Sequence, residues 1–81
     1  MKCPVCGNET FDDNEYVYHI CAECCWEYDR AQVKDPDFPG GANHHSLNEY
    51  RKIYLKLKET NPNFSCKNDE DRERIIALDQ E

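Results

Sequence analysis

Four cysteines in two C-x2-C pairs carry the chemistry that this sequence offers most clearly. Cys3 and Cys6 form the first pair, Cys21 and Cys24 form the second, and fourteen residues separate the pairs. A C-x2-C pair closes a tight turn whose two sulfurs face one ion, and two such pairs supply the four thiolates of a tetrahedral zinc site. We therefore predict one structural Zn²⁺ per chain, held by these four residues.

The residues beside each pair indicate how the two turns are shaped. Pro4 fixes one backbone angle of the first turn, and Gly7 permits the left-handed conformation that would direct N–H groups back at sulfur. In the second turn Cys25 stands where a glycine would suit, and Trp26 follows it. We expect Trp26 to cover the metal, since an apolar shell keeps water from the thiolates.

The segment between the two pairs predicts a β-hairpin. Asp12, Asp13 and Asn14 form a turn-like run, and Tyr16 to Ile20 is a stretch of aromatic and β-branched residues that favours a strand. The sequence therefore predicts a small α+β fold, a zinc ribbon with a zinc-knuckle β-hairpin over residues 1–34. Within it, residues 27–34 suit a strand or a short helical turn equally well.

A loop and two helices are predicted after the ribbon. Residues 35–45 contain two prolines and a Gly-Gly pair, so they form a loop, without the pattern of a phosphate-binding loop. The capping box Ser46-Leu47-Asn48-Glu49 begins an amphipathic helix over residues 46–60, and Pro62 follows its end. The charged tail, residues 61–81, carries a second, shorter helix that Asn68 can cap. One domain, residues 1–81, thus has one or two helices packed on the ribbon.

Composition limits the classes of protein to which the chain can belong. An 81-residue chain buries little apolar surface, so zinc is expected to stabilise its fold. No secretory signal peptide precedes Cys3, which favours the cytoplasm over a disulfide-rich secreted protein. No apolar run approaches the roughly 20 residues that a membrane helix needs.

The net charge is strongly negative and indicates the kind of partner to expect. Seventeen acidic and ten basic residues give −7, and four thiolates with one Zn²⁺ make this about −9. Such a surface repels phosphate, so a nucleic-acid partner is disfavoured and a charged partner is expected to be basic. The alternative is that the charge only keeps the domain soluble.

Several other residues have chemistry that the zinc site does not use. We expect Cys25 and Cys66 to be buried, inert thiols, with a reactive thiol or a second metal as the alternative. His19 could replace a cysteine ligand, and His44 with His45 could bind a surface metal, but adjacent side chains on a loop diverge and no third ligand is evident. The residues that could support the metal ligands from outside or bind a partner are Gly7, Trp26, Asp35, Asp37, Gly40 and Gly41.

Four ordered motifs resemble the cysteine-rich CPCC domains of bacteria. The motifs run from Cys3-Pro4-Val5-Cys6-Gly7 and Ile20-Cys21-Ala22-Glu23-Cys24-Cys25-Trp26-Glu27 to the loop at residues 35–43 and the helix start at Ser46. The resemblance covers about residues 3–57 and implies a small metal-binding domain of bacterial origin, with no activity to carry over. Two departures stand out: Val5 replaces the family's extra cysteine, and Cys25 is an added one.

Three classes of function remain after this survey. The first is a non-enzymatic protein-binding module, such as an acidic inhibitor or immunity protein that neutralises a basic toxin. The second is a zinc-ribbon accessory of a nucleic-acid complex, and the third is an enzyme. Four cysteines leave zinc no open position for water, and a thiol-redox role would need a βαβ context around C-x2-C. The sequence therefore favours the first class and no catalytic residues.

Overall fold

Three α-helices make up the regular secondary structure of the protein, in a computed structural model that describes all of residues 1–81. Helix α1 spans Arg30–Lys34, α2 spans Leu47–Thr60 and α3 spans Asp69–Asp79. The Cα radius of gyration is 11.6 Å, close to the value of about 12 Å expected for a folded chain of this length. None of the three helices has the length and apolar character needed to cross a membrane.

Residues 1–29 form turns instead of the predicted β-hairpin. Pairing is limited to three isolated antiparallel bridges, Lys2 with Glu9, Asp12 with Glu15, and Ile20 with Glu27. The strand predicted from Tyr16 to Ile20 does not form, because Tyr18 adopts a left-handed φ of 63° and turns the chain. The Tyr18 N–H still donates to Tyr28 O, and the Tyr28 N–H donates to His19 O. Side-chain packing and the cysteines therefore hold this region more than any sheet does.

Helix α1 resolves the open interpretation of residues 27–34 in favour of a helical turn. Asp29 caps it, with Oδ1 accepting the Ala31 N–H at 2.8 Å. The side chain of Gln32, which is fully buried, faces the following loop. Its Nε2 donates to the carbonyls of Phe38, Asn43 and His45, at 3.0 to 3.2 Å. The loop at residues 35–45 is irregular as predicted, but this amide holds it to α1.

Helix α2 begins at the predicted capping residue and, as expected of an amphipathic helix, buries one face. Ser46 Oγ accepts the Glu49 N–H at 3.2 Å, while the Glu49 carboxylate turns to Lys52 instead of returning to the cap. The Asn61 N–H donates to Leu57 O and closes the last turn. The buried residues of this helix are Leu47, Tyr50, Tyr54 and Leu57. They join an apolar cluster that contains Trp26, Phe11 and the cysteines, so the core lies between α2 and the turns of residues 1–29.

Helix α3 is the predicted tail helix, capped as expected. Asn68 Oδ1 accepts the N–H groups of Glu70 and Asp71, and three acids occupy the first turn, where they suit the helix dipole. Of the two adjacent isoleucines, Ile75 is fully buried and Ile76 is 48% exposed. The helix therefore docks along one edge and contacts α2.

A disulfide joins Cys25 to Cys66, so the prediction of two inert thiols is wrong. Their Cα atoms lie 5.4 Å apart across a sequence separation of 41 residues. The Cys66 N–H also donates to Glu23 O at 3.0 Å, which brings the segment before α3 against the second cysteine turn. Spacing along the sequence could not show this pairing, because it depends on how α2 turns the chain back.

Candidate metal centre

The four predicted ligands meet at one point of the core. The Sγ atoms of Cys3, Cys6, Cys21 and Cys24 all lie within 4.8 Å of one another. The separations of Cys3 from Cys24 and of Cys6 from Cys21 are both 3.6 Å and join one turn to the other. Zinc–sulfur bonds of about 2.3 Å in a tetrahedron place sulfurs about 3.8 Å apart. The cluster therefore has the dimensions of a tetrahedral metal site.

These four sulfurs are also too far apart to be bonded to each other. A disulfide needs about 2.05 Å between sulfurs, whereas the two pairs that join the cysteine turns are at 3.6 Å. All four are free cysteines, and Cys6 alone is not buried. The donor set is therefore four free thiols close to one another.

The two cysteine turns have the same backbone geometry although their sequences differ. Gly7 has a φ of 76° and its N–H donates to Cys3 O at 2.8 Å. Cys25 has a φ of 67° and its N–H donates to Cys21 O at 2.9 Å. Cys25 thus occupies the position of Gly7, in a conformation that normally disfavours residues with a Cβ. The disulfide to Cys66 anchors it there.

Hydrogen bonds to sulfur concentrate on Cys21. Its Sγ accepts the N–H of Glu23 at 3.4 Å and that of Cys24 at 3.5 Å, and lies 3.1 Å from Thr10 Oγ1. The N–H of Gly7 itself closes the first turn. The neighbouring N–H groups of Cys6 and Asn8 are directed at the sulfurs of Cys3 and Cys6, as the left-handed conformation of Gly7 predicts. Donors of this kind stabilise a metal-bound thiolate and orient it.

Four thiolates this close together would repel one another, so without a cation the cluster shares protons. The pKa of Cys21 is held far below its usual range, because the thiols of Cys24, Cys3 and Cys6 donate to its sulfur. The pKa of Cys24 is raised far above its usual range, first by its hydrogen bond with Cys21 and then by those with Cys3 and Cys6. Such a cluster binds a divalent cation by releasing its remaining protons.

Helix α2 holds both cysteine turns from the same side. The Tyr50 hydroxyl donates to Cys24 O at 2.7 Å, and Arg51 Nη2 donates to Pro4 O at 2.5 Å. Burial raises the pKa of Tyr50, so its hydroxyl stays protonated and can act as this donor. Helix α2 therefore holds each cysteine turn through one backbone carbonyl.

Trp26 lies in the core beside the cluster rather than on the surface. Its side chain is fully buried in the apolar cluster that includes Cys3, Cys21 and Cys24. The ring packs edge-on against Tyr28 with centroids 5.5 Å apart, and its indole N–H has no hydrogen-bond partner. Trp26 is therefore placed to exclude water from the site but not to contact a partner protein.

The loop candidates lie away from the sulfurs and stabilise the loop itself. Asp35 Oδ1 accepts the Asp37 N–H, and Asp37 Oδ1 accepts from Asn48 at the start of α2. Gly40 has a φ of 79°. A Cβ at Gly41 would lie 2.5 Å from Asp29 Oδ2 and 3.0 Å from Gln32, so only glycine fits there.

The histidines lie outside the cysteine cluster. His19 is exposed, and its carbonyl pairs with Tyr28. His44 and His45 donate their backbone N–H groups to the two oxygens of Asp79, each at 3.0 Å, and His45 Nδ1 lies 3.1 Å from the same carboxylate. The cysteine cluster is the only group of three or more metal-ligating residues in the structure, and the contacts of the histidine pair with Asp79 join the loop to the end of α3.

The roles of three polar residues that are important to this fold were not predicted from the sequence. Asn43 pairs with the backbone of Glu27 through both its amide atoms and donates to Gln32 Oε1 at 2.9 Å. Asp29 and Asp79 bind loop N–H groups in a similar way. Each of these side chains is buried although its type is usually exposed, and no local pattern distinguishes them from surface residues.

Comparison with known proteins agrees with the geometry of the site. No curated protein matches the sequence at a significant level. A profile of one protein family, however, matches residues 1–72, which include all four clustered cysteines, α1 and α2. The chain therefore belongs to the cysteine-rich CPCC family.

Proposed function

We propose that this protein is a non-enzymatic domain built on one structural Zn²⁺, whose acidic surface binds another protein. The observation that carries the metal assignment is the set of four sulfurs within 4.8 Å of one another. Zinc suits it because four thiolates in a tetrahedron are the usual environment of structural zinc. When bound, the ion would link the two knuckles of a zinc-ribbon-type site and so stabilise the fold.

A structural role is favoured over a catalytic one. Four protein sulfurs fill a tetrahedral coordination sphere, so no position remains at which water could be activated. The C-x2-C pairs lie in turns without any neighbouring βαβ unit, which disfavours a thioredoxin-like reaction.

The charge of the molecule favours a basic protein partner. The net charge is −7, and five carboxylates lie on α3, with two more at the start of the loop at residues 35–45. Such a field speeds the approach of a cationic protein and repels nucleic acid. An inhibitor or immunity protein that neutralises a basic toxin is the narrower form of this proposal. An accessory role in a nucleic-acid complex is the alternative.

Elemental analysis with native mass spectrometry tests the metal. We expect one zinc per chain in protein purified without added metal, and none in Cys21→Ser. The matched control is Cys25→Ala with Cys66→Ala, which also removes cysteines but leaves the cluster intact, so it should keep its zinc. Stoichiometric iron, or zinc retained in Cys21→Ser, would contradict the assignment.

Isolation of complexes at low and high salt tests the partner. The protein, recovered from its own cells under native conditions, should bring with it one basic protein whose association weakens as salt rises. Recovery of nucleic acid in its place would support the alternative.

A further inference from the structure

A small cleft between α3 and the turn at Ile20 combines apolar walls with carboxylates. Its volume is about 190 Å³, and Ile20, Ile76 and Tyr50 line it together with Glu27 and Asp79. Ile20 is 59% exposed and Ile76 is 48% exposed, although both are large aliphatic residues. Exposed aliphatic side chains gathered around a cleft are typical of interaction sites.

We propose that this cleft binds an arginine side chain of a partner protein. An arginine combines an apolar stem with a permanently charged planar head, so it can cover aliphatic walls while its guanidinium reaches a carboxylate. The cleft offers both surfaces. It is smaller than the roughly 300 Å³ of small-molecule pockets, which suits one side chain.

The carboxylate of Glu27 is the group available to the guanidinium. Glu27 uses its backbone to pair with Asn43, and its side chain forms no ion pair and no hydrogen bond. Asp79, by contrast, already accepts from the N–H groups of His44 and His45. Asp79 therefore adds negative potential to the cleft, while Glu27 is the direct partner.

The other concave surface of the molecule has the opposite charge. It lies between α2 and α3, has a volume of about 320 Å³, and is lined by Ile53, Leu57 and Leu78 with Lys56 and Arg74. Lys56 and Arg74 would repel an arginine side chain that approached the apolar walls of this surface. The cleft at Ile20 is thus the concave surface whose charge fits a basic partner.

This inference rests on the proposed function, since it names how a basic partner would be recognised. The test is an NMR titration of the isotopically labelled protein with acetyl-Gly-Arg-Gly-amide. We expect saturable shifts at the amides of Ile20, Glu27 and Ile76. The matched peptide has citrulline, which is uncharged and of the same shape, and it should bind at least about five-fold more weakly.

Variants with matched controls locate the binding. Glu27→Gln and Ile76→Asn should each weaken arginine binding about five-fold or more. Glu73→Gln, an exposed acid on the same helix, and Leu55→Asn, an exposed leucine on α2, should change it less than about two-fold. Equal binding of the citrulline peptide, shifts spread over all acidic faces, or no saturation would overturn the proposal.

The experiments distinguish an error in the assigned binding cleft from an error in the proposed function. A basic partner that still binds Glu27→Gln and Ile76→Asn unchanged would overturn the cleft and leave the proposed function standing. Specific arginine binding without any basic partner in cells would support the cleft and contradict the proposed function.

Discussion

At the scale of single residues, a few hydrogen bonds connect the metal centre to the rest of the fold. Tyr50 is the clearest case, since its buried hydroxyl donates to the carbonyl of Cys24, a cluster cysteine. Tyr54 lies one turn further along α2 and is equally buried, but its hydroxyl forms no hydrogen bond within the protein; its ring packs edge-on against Phe64 instead. The two tyrosines therefore differ in one interaction.

This difference makes Tyr50→Phe a sharp test of the contact. We expect a loss of about 1–2 kcal/mol in the free energy of unfolding, because a buried carbonyl loses its donor while the ring still packs. Chemical denaturation of the metal-loaded protein measures it. The control Tyr54→Phe should be close to neutral, and an equal loss in both variants would show that the hydrogen bond is unimportant.

Elements are joined in this protein by buried polar side chains and one disulfide more than by a sheet. Asp29 shows the first device: it caps α1 with Oδ1 and accepts the Ala42 N–H with Oδ2 at 2.8 Å, so one carboxylate joins a helix to a loop. The pKa of Asp29 is lowered, first by the Ala42 N–H and then by those of Ala31 and Gln32, against the opposing effect of burial.

A lowered pKa in the folded state makes the contribution of Asp29 dependent on pH. The ionised carboxylate stabilises the fold fully above its unfolded pKa of about 3.9, and this stability is lost as the pH falls through the lower folded value. The stability difference between the wild type and Asp29→Asn should therefore shrink between about pH 5 and pH 3.

Denaturation curves measured from neutral pH down to the pH at which the metal is released give the difference, because both proteins unfold with the loss of the metal below that pH. Glu59→Gln is the control, because it removes an exposed carboxylate that forms no ion pair or hydrogen bond. Its difference from the wild type should change less with pH than that of Asp29→Asn. A constant difference for Asp29→Asn would contradict the role given to this carboxylate.

The disulfide is the second device, and it joins the second cysteine turn to the segment before α3. Replacing both residues, as Cys25→Ala with Cys66→Ala, should cost about 4 kcal/mol at a separation of 41 residues, since the unfolded chain regains its freedom. The variant Cys25→Gly with Cys66→Ala should recover about 1 kcal/mol of this, because glycine accepts the positive φ at residue 25. Calorimetry of both variants measures the two effects, and equal stability of the two would argue against strain at residue 25.

At the scale of the whole molecule, features encoded locally were predictable and those that depend on distant contacts were not. The C-x2-C spacing predicted the cluster, and Ser46 with Asn68 predicted where α2 and α3 begin, because turns and caps depend on a few adjacent residues. The pairing of Cys25 with Cys66 and the burial of Gln32 depend on contacts that only the folded chain creates. The predicted hairpin was wrong because β-propensity at residues 16–20 yields to the turn at Tyr18.

The absence of a sheet leads to a prediction about the molecule without its metal. Residues 1–29 have only three isolated bridges and pack around the four cysteines, which lie in the same apolar cluster as the buried face of α2. Four thiolates without a cation would repel each other, and protonated thiols would not bind the two knuckles together. Removing the ion should therefore unfold the helices together with the knuckles.

Small-angle scattering and circular dichroism during chelation measure this. The radius of gyration should rise from 11.6 Å toward the value of about 28 Å of an unfolded chain of this length, kept somewhat lower by the disulfide, and the helical signal should fall at the same chelator concentration. Cys21→Ser should behave like the chelated protein. Retention of helix α2 and of the compact radius after complete removal of the metal would contradict the prediction. It would show that the helices fold by themselves and that packing against the cysteines contributes little to their stability.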